Sequence, residues 1–345
     1  RTLRVRKGWV QFPTARQKNF MNFKDRVYGD IEISEPILSE IINSPTLQRL
    51  KEIEQAGYPE PFFPGTGYTR FEHSVGVCLL LRKYGASIEE QVAGLIHDIS
   101  HSAFSHCIDY VLNVGSEKEH NHQDNTFDHY VINSEIPTIF KKYNFDLNYI
   151  IDDKNFPLKE KKLPDLCADR IDYSLRTACI FKEIKNANHF LDNIITENGN
   201  WIFKNFESAK KYAELFLKLN TDYYSGLSSA VMFSTVGNYL RYAILREYIS
   251  ETDLYTTDKI VLSKIEPHHK KDEWLKLLFE RMNNRIGFKN DPDNFDDEVF
   301  CKSRIVDPFC KYNGETKRVS QIDNNWNIIL KKESKPKHYF IKFER

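Results

Sequence analysis

Apolar residues along most of this chain recur at helical spacing. Ile37, Ile41 and Ile42 form one stripe, Pro45 interrupts it, and Leu47, Leu50 and Ile53 continue it, so 37–55 is predicted as a broken helix. The stretch GYPEPFFPGTG at 57–67 is dense in Pro and Gly and reads as a rigid loop. A helix is predicted from about 71 to 84, with Val75, Leu79 and Leu80 inward. Ser87 followed by Glu90 predicts a capping box. The helix it opens, through QVAGLIHDI, is apolar nearly all round and so expected to be buried. Further helices are predicted over 104–112, 124–133, 165–181, 205–219 and 223–250, with a charged loop at 152–164 closed by Pro164. Beyond 253 the texture changes: WNIIL and HYFIKF alternate as strands do, whereas DEWLKLLFERM is helical. Residues 1–30, with Gly8, Pro13 and Gly29, read as irregular. The expected fold is mainly α: an N-terminal extension (1–25), a helical domain (26–252) and a smaller C-terminal α+β region (253–345) of unassigned role.

Composition narrows the function. A chain of 345 residues with 41% hydrophobic and 13% aromatic content can fill a large core and is not a disordered one. Its 49 basic and 49 acidic residues cancel, so no global attraction to nucleic acid or an anionic membrane follows. The six cysteines form no CxxC pair, which excludes zinc-finger and redox-motif readings and makes a reducing cytoplasm the expected compartment. No apolar run is long enough to span a membrane, and RTLRVRKGWV lacks the apolar core of a secretory signal, so neither is expected.

Four side chains carry the strongest chemical signal: His73, the pair His97-Asp98, and Asp169. Imidazole nitrogen with carboxylate oxygen suits one divalent ion such as Mn, Fe, Zn or Ni, and Mg less well. Burying His97 and Asp98 among Leu95, Ile96 and Ile99 costs several kcal/mol unless a partner offsets the lost hydration; a metal and a salt-bridge network are both adequate partners. On this helix His101 shares a face with His97 and neighbours Asp98, so one helix presents two metal ligands and a histidine over the open coordination positions. More histidines follow at 106, 120 and 122.

The stretches RFEHSVGV (70–77), AGLIHDISHSAFSH (93–106) and ADRIDY (168–173) resemble the HD-domain phosphohydrolases. With 27–57 and FPGTGYTRFEHS (63–74), the chain is most similar to the deoxynucleotide triphosphohydrolases of that family, including the sterile-alpha-motif/HD type, over about 26–180. The resemblance implies an HD-domain helical bundle that hydrolyses (deoxy)nucleoside triphosphates at the α-phosphate to nucleoside and triphosphate. It implies His73, His97, Asp98 and Asp169 as metal ligands and His101 beside the scissile phosphate. Asp109 would support a catalytic histidine, best matched by His122 with His120 as rival. Arg70, Arg170 and Tyr173 would contact phosphate, and Gln55 the sugar. The chemistry is coherent: arginines beside a divalent ion hold polyphosphate, the ion lowers the pKa of water, and a histidine protonates the departing oxygen. His106 is expected to orient a neighbouring group. The family also implies a homo-oligomer.

The chain departs from the family pattern at several points. Ser100 replaces a Gly, and Thr177 replaces an Asp that reads the sugar 3′-hydroxyl. Asn43 and Lys51 replace an Asp and an Arg that read guanine, so no GTP-driven switch is expected. The alternatives are a phosphodiesterase or nuclease on single-stranded nucleic acid, a nucleotide 5′-phosphatase, or a non-catalytic binding module. Elsewhere, Tyr239, Arg241 or Tyr242 would wall a nucleotide pocket or, more simply, pack in a core helix. The acidic run 291–298 reads as a solvated loop, His268-His269 as exposed, and KPKHYFIKFER as an edge strand protected by lysines.

Overall fold

The computed structural model describes residues 21–112 and 122–344, apart from the side chain of Asp124; Gly8, Pro13 and His120 lie outside these residues. The chain is mainly α. It opens, however, with a β-hairpin where irregular chain was expected, β1 (Met21–Asp25) against β2 (Gly29–Ile33). Asp25 Oδ1 accepts the N–H groups of Val27 and Tyr28, and Gly29 supplies the positive φ of +78° that closes the turn. The broken helix resolves into α1 (Pro36–Ile42), α2 (Pro45–Arg49) and a 3-10 turn at Leu50–Glu52, with Pro45 at the start of α2 and Ser44 capping it.

Three helices make the frame of the site. Thr69 and Glu72 form a capping box at the head of α3 (Arg70–Lys83). Ser87 caps α4 (Ile88–Ile96), but its box is not closed: the Glu90 carboxylate instead accepts the N–H groups of Leu158 (2.8 Å) and Lys159 (3.0 Å). Then follow α5 (His122–Ile132), α6 (Ile136–Tyr143), α7 (Leu147–Ile151) and α8 (Ala168–Ile180). α3 packs between α4 and α8.

The remaining elements are α9 (Asn188–Asp192), β3 (Ile194–Glu197), β4 (Asn200–Phe203), α10 (Phe206–Leu219), α11 (Leu227–Leu245), α12 (Asp258–Ile265) and α13 (Glu273–Met282). After them come β5 (Phe288–Asn290), β6 (Asp297–Cys301), β7 (Phe309–Tyr312), β8 (Glu315–Arg318), α14 (Val319–Ile322), α15 (Asn324–Glu333) and β9 (Lys337–Phe343). The strand orders are β3-β4-β7-β8 and β5-β9-β6. WNIIL, expected as a strand, lies in α15: Asp323 caps the helix, and Trp326, Ile329 and Leu330 face the core at helical spacing. β9 is a strand as expected, but it sits at the centre of its sheet, paired on both sides. His268 and His269 are half-buried, the first stacked 3.9 Å from Tyr248 and the second 2.9 Å from the Tyr239 hydroxyl. Tyr239 is core, Arg241 donates to the Tyr110 carbonyl, and the Tyr242 hydroxyl donates to Asp272.

Packing crosses residue 253. One hydrophobic cluster joins Ile108, Val236 and Leu240 to Leu275, Val299 and Ile341; another joins Leu80, Leu175 and Phe216 to Ile305, Val319 and Trp326. β4 also pairs in parallel with β7. These contacts carry the 302–308 segment onto the helical body.

The loop after α4 departs from the expected continuous helix. α4 ends at Ile96, with His97 as its C-cap, so His101 is presented by a turn instead. Arg49 satisfies the freed carbonyls of Ile99 and His101, each at 2.8 Å. Phe104 and Ser105 then adopt left-handed φ of 60° and 46°, which costs on the order of 1–3 kcal/mol each. Asp258 holds this bend, accepting the N–H of Phe104 (2.7 Å) on one oxygen and of Glu54 (3.0 Å) on the other. Burial pushes the Asp258 carboxyl from 3.8 up to about 7. Because the folded value is the higher one, its contribution to stability is complete below about pH 4 and drains away as pH rises through 7. Asp258→Asn is therefore expected to gain stability relative to the wild type as pH climbs from 4 to 8. Melting temperatures at each pH measure this, and a constant difference across the range would refute it.

Candidate active site

The donors come from three places in the frame. His73 lies one turn into α3, His97 and Asp98 follow the last turn of α4, and Asp169 sits in the first turn of α8, where a carboxylate is favoured by the helix dipole. His73 Nε2 is 2.9 Å from Asp169 Oδ1, 3.2 Å from His97 Nε2 and 3.8 Å from Asp98 Oδ2. His97 Nε2 is 3.4 Å from Asp98 Oδ1 and 3.5 Å from Asp169 Oδ1. Ligand bonds of about 2.1 Å at 90–109° place neighbouring donors roughly 3.0–3.4 Å apart, so the spacing of His73, His97 and Asp169 accepts one divalent ion, with Asp98, held by Arg70, at its edge.

The atoms behind the donors fix their orientation. His73 Nδ1 donates to Asp172 Oδ2 at 2.7 Å, and His97 Nδ1 donates to the Gly94 carbonyl at 2.7 Å. Both imidazoles therefore turn a lone pair on Nε2 toward the centre. Asp172 is itself gripped by Arg176 Nε (3.1 Å) and Nη2 (2.9 Å) and by the Tyr28 hydroxyl (2.8 Å), and Arg176 pairs with Asp25 at 3.0 Å.

The charge balance also calls for a cation. Burial pushes Asp98 up, but Arg70, His97 and His73 outweigh it and hold the carboxyl below its ordinary value. Asp169 is likewise held well down: burial raises it, and hydrogen bonds from His73 and His97 more than compensate. Burial disfavours imidazolium at His73, yet Asp169 and Asp172 on its two nitrogens raise it to about 9. Two ionised, buried carboxylates thus draw a proton onto His73, and a divalent ion answers the same demand. The residues fit the group.

Arg70, expected on phosphate, is almost fully buried and engaged elsewhere. Its guanidinium binds Asp98 Oδ2 (2.6 Å), Ser105 Oγ (2.8 Å) and the Gln55 carbonyl (3.0 Å), as a buried charge must find partners. Arg170 Nη1 donates to the carbonyls of Asp165 (2.7 Å) and Lys161 (3.2 Å), leaving Nε buried without a partner. His101 is buried with Nε2 3.4 Å from Asp98 Oδ1, and burial together with Arg70 holds it well below the usual histidine range, hence neutral.

Asp109 and His122 meet differently from the expectation. The His122 backbone N–H donates to Asp109 Oδ1 (3.1 Å), while its imidazole Nε2 lies 3.1 Å from the Tyr255 hydroxyl, away from the centre. The histidine that Asp109 faces at the site is His106, with Nδ1 3.5 Å from Asp109 Oδ2. Burial pushes Asp109 up to about 6.

Two chambers lie here, and donors line only the first. A polar one of about 710 Å³ is lined by His97, Asp98, His101, Asp169, Arg170 and Lys302, among others. A narrower one of about 110 Å³ is lined by Phe63, Tyr68, Thr177, Phe181, Tyr224 and Phe233. Gln55, His106, Tyr173 and Arg304 line both. His122 is not among the described residues lining either. Lys302 and Arg304 were not foreseen, because nothing in CKSRIVD marks them and only the packing across 253 brings them here.

The comparisons agree with this centre. Residues 70–177 match the model of the HD domain. Over 291 residues the chain is 35% identical to the uncharacterized protein YdhJ of Bacillus subtilis, covering 84% of this chain and 88% of that protein. It is 38% identical over 177 residues to the metal-dependent phosphohydrolase cns2 of Cordyceps militaris, covering 51% of this chain and 50% of cns2. It is 36% identical over 141 residues to the mouse deoxynucleoside triphosphate triphosphohydrolase SAMHD1, covering 35% of this chain and 21% of SAMHD1. The chain thus spans half the length of cns2 and about a fifth of SAMHD1. A phosphohydrolase structure from Bacteroides thetaiotaomicron shares the fold, with a TM-score of 0.70 at 18% identity over 94% of this chain and 100% of that one. Donor set, fold and relatives converge: the chain belongs to the HD-domain family and is a metal-dependent phosphohydrolase of that type.

Proposed function

We propose that this enzyme hydrolyses nucleoside triphosphates, deoxynucleotides among them, at the α-phosphate, releasing nucleoside and triphosphate. The observation that carries the reading is that Gln55, His106, Tyr173 and Arg304 line both chambers, which places them side by side. The polar chamber, with its donors and cations, suits phosphoryl groups; the aromatic one suits a nucleoside. The SAMHD1 match, named for that reaction, supports it. A divalent ion held by His73, His97, Asp98 and Asp169 supplies Lewis acidity and lowers the pKa of water. Neutral His101 hydrogen-bonds a phosphoryl oxygen. Tyr173, kept protonated by burial, donates its hydroxyl to another. His106 lines both chambers and burial keeps it neutral, while Asp109 behind it, its carboxyl pushed up to about 6, is the proton store from which His106 relays a proton to the departing oxygen. Gln55 Oε1, buried without a partner among the described residues, accepts a sugar hydroxyl. Thr177 Oγ1, 3.2 Å from the Tyr68 hydroxyl, offers the sugar a neutral contact.

One observation favours a second reading. Asp128, Asp152 and Glu160 also line the polar chamber, Glu160 beside Asp169, and oppose a long polyanion, which fits a nucleotide 5′-phosphatase. Incubation with each NTP, dNTP and NMP plus Mn, followed by phosphorus NMR of the products, decides between them. Inorganic triphosphate is expected; orthophosphate alone, or no triphosphate from any nucleotide, would overturn the first reading.

A further inference from the structure

Arg304 lies in the extended 302–308 segment between β6 and β7, and both sides of that segment are tied down. Ser303 Oγ donates to the Glu333 carbonyl (2.7 Å) and accepts from Asn220 Nδ2 (3.0 Å), and the Arg304 N–H donates to Asn220 Oδ1 (2.8 Å). The Asp307 N–H donates to the Pro164 carbonyl (2.9 Å), and its carboxylate accepts from Ser320 N (2.9 Å) and Oγ (2.6 Å). Ser303 and Ile305 point into the protein and are buried. Arg304 between them is half-buried, and its side chain lines both chambers.

The cations predicted from sequence are already committed: Arg70 to Asp98, Ser105 and Gln55, and Arg170 to carbonyls of its own wall. Of the three arginines lining the chambers, only Arg304 has a guanidinium without a hydrogen bond or ion pair among the described residues. A half-buried guanidinium with no contacting counter-charge among the described residues, Asp109 acting on it only at longer range, beside the cavity of the metal donors, is a seat for an anion.

We propose that Arg304 grips the phosphoryl group at the junction of the two chambers, its planar fork taking two oxygens, and so aligns the scissile bond between the metal donors and the aromatic chamber. The region after 253 thereby completes the active site. The proposal rests on the phosphohydrolase reading of the site and deepens the nucleotide one, yet it requires no particular nucleotide to be cleaved.

The test is calorimetric titration of the Mn-loaded protein with inorganic tripolyphosphate, alongside titration with Mn alone. Arg304→Gln is expected to weaken tripolyphosphate binding by about 10- to 100-fold, as loss of a charged hydrogen bond does, while Mn affinity stays within about twofold. Arg304→Lys, which keeps the charge and loses the fork, is expected to recover only part of the binding. The proposal is overturned if Arg304→Gln binds tripolyphosphate as the wild type does, if it loses Mn affinity in parallel, or if the wild type binds no tripolyphosphate. A failure to cleave nucleotides alongside an intact Arg304 effect would sink the proposed substrate and leave the grip standing.

Discussion

Asp169→Asn is expected to empty the metal centre and to lower hydrolysis by about three orders of magnitude. Asparagine keeps the shape of the side chain and one acceptor oxygen, so the variant isolates the charge. That charge is decisive because the other carboxylates of the centre are already balanced. Asp98 is paired with Arg70 at 2.6 Å, and Asp172 with Arg176 at 2.9 Å. Asp169 pairs instead with the imidazoles of His73 and His97, with the Glu160 carboxylate also close by, so removing its charge takes away much of the negative field that a divalent ion would meet. A metal contributes several kcal/mol to such a reaction, and about 4 kcal/mol is roughly a thousandfold in rate. Elemental analysis after Mn loading and dialysis reads the first effect, and the rate reads the second. Asp98→Asn serves as the contrast. It strands Arg70 as a buried, half-paired charge, a loss of about 3–5 kcal/mol, and is expected to show first as a lower melting temperature. An Asp169→Asn protein that keeps one equivalent of Mn and turns over normally would remove this centre from the mechanism.

Motif spacing and helical periodicity made the donor residues legible, since His73, His97, Asp98 and Asp169 each sit in or beside a helix that the sequence predicts. What stayed hidden depends on partners distant in the chain. α4 stops at Ile96 because Arg49, 50 and 52 residues away from Ile99 and His101, takes up the carbonyls freed there. His106 faces the chamber through a left-handed bend anchored by Asp258, and no local pattern announces a positive φ at a phenylalanine. WNIIL satisfies both the strand and the helical period, and only the Asp323 cap and the packing of Trp326 decide between them. β9 carries the lysines of an edge strand, yet its place between β5 and β6 is a matter of register with two segments far upstream in the chain. Arg304 belongs to the same class. Its local sequence is unremarkable, and its position follows from β7 pairing with β4.

Gly76→Ala tests the support behind the metal rather than the metal itself. Gly76 lies on α3 three residues after His73, where α3 crosses α8. A Cβ there would run into Arg176 Nη2 and Asp172 Oδ1, both wholly buried and bonded to each other. Neither can step aside cheaply, because Asp172 is held by His73, Tyr28 and Arg176 at once. Either the pair breaks, leaving buried charge at a cost of about 3–5 kcal/mol, or the helices part and Asp172 leaves His73 Nδ1. The first lowers the melting temperature by on the order of 10 °C; the second weakens Mn binding about 10- to 100-fold, as loss of a partner behind a ligand does. Gly94→Ala is the matched control, since a Cβ there meets the apolar ends of Leu81 and Val77. Overpacking of that kind costs about 1–3 kcal/mol and is expected to leave Mn affinity unchanged, because the Gly94 carbonyl that orients His97 remains. If Gly76→Ala melts and binds Mn like the wild type, the Asp172–Arg176 pair is not what holds His73 to its task.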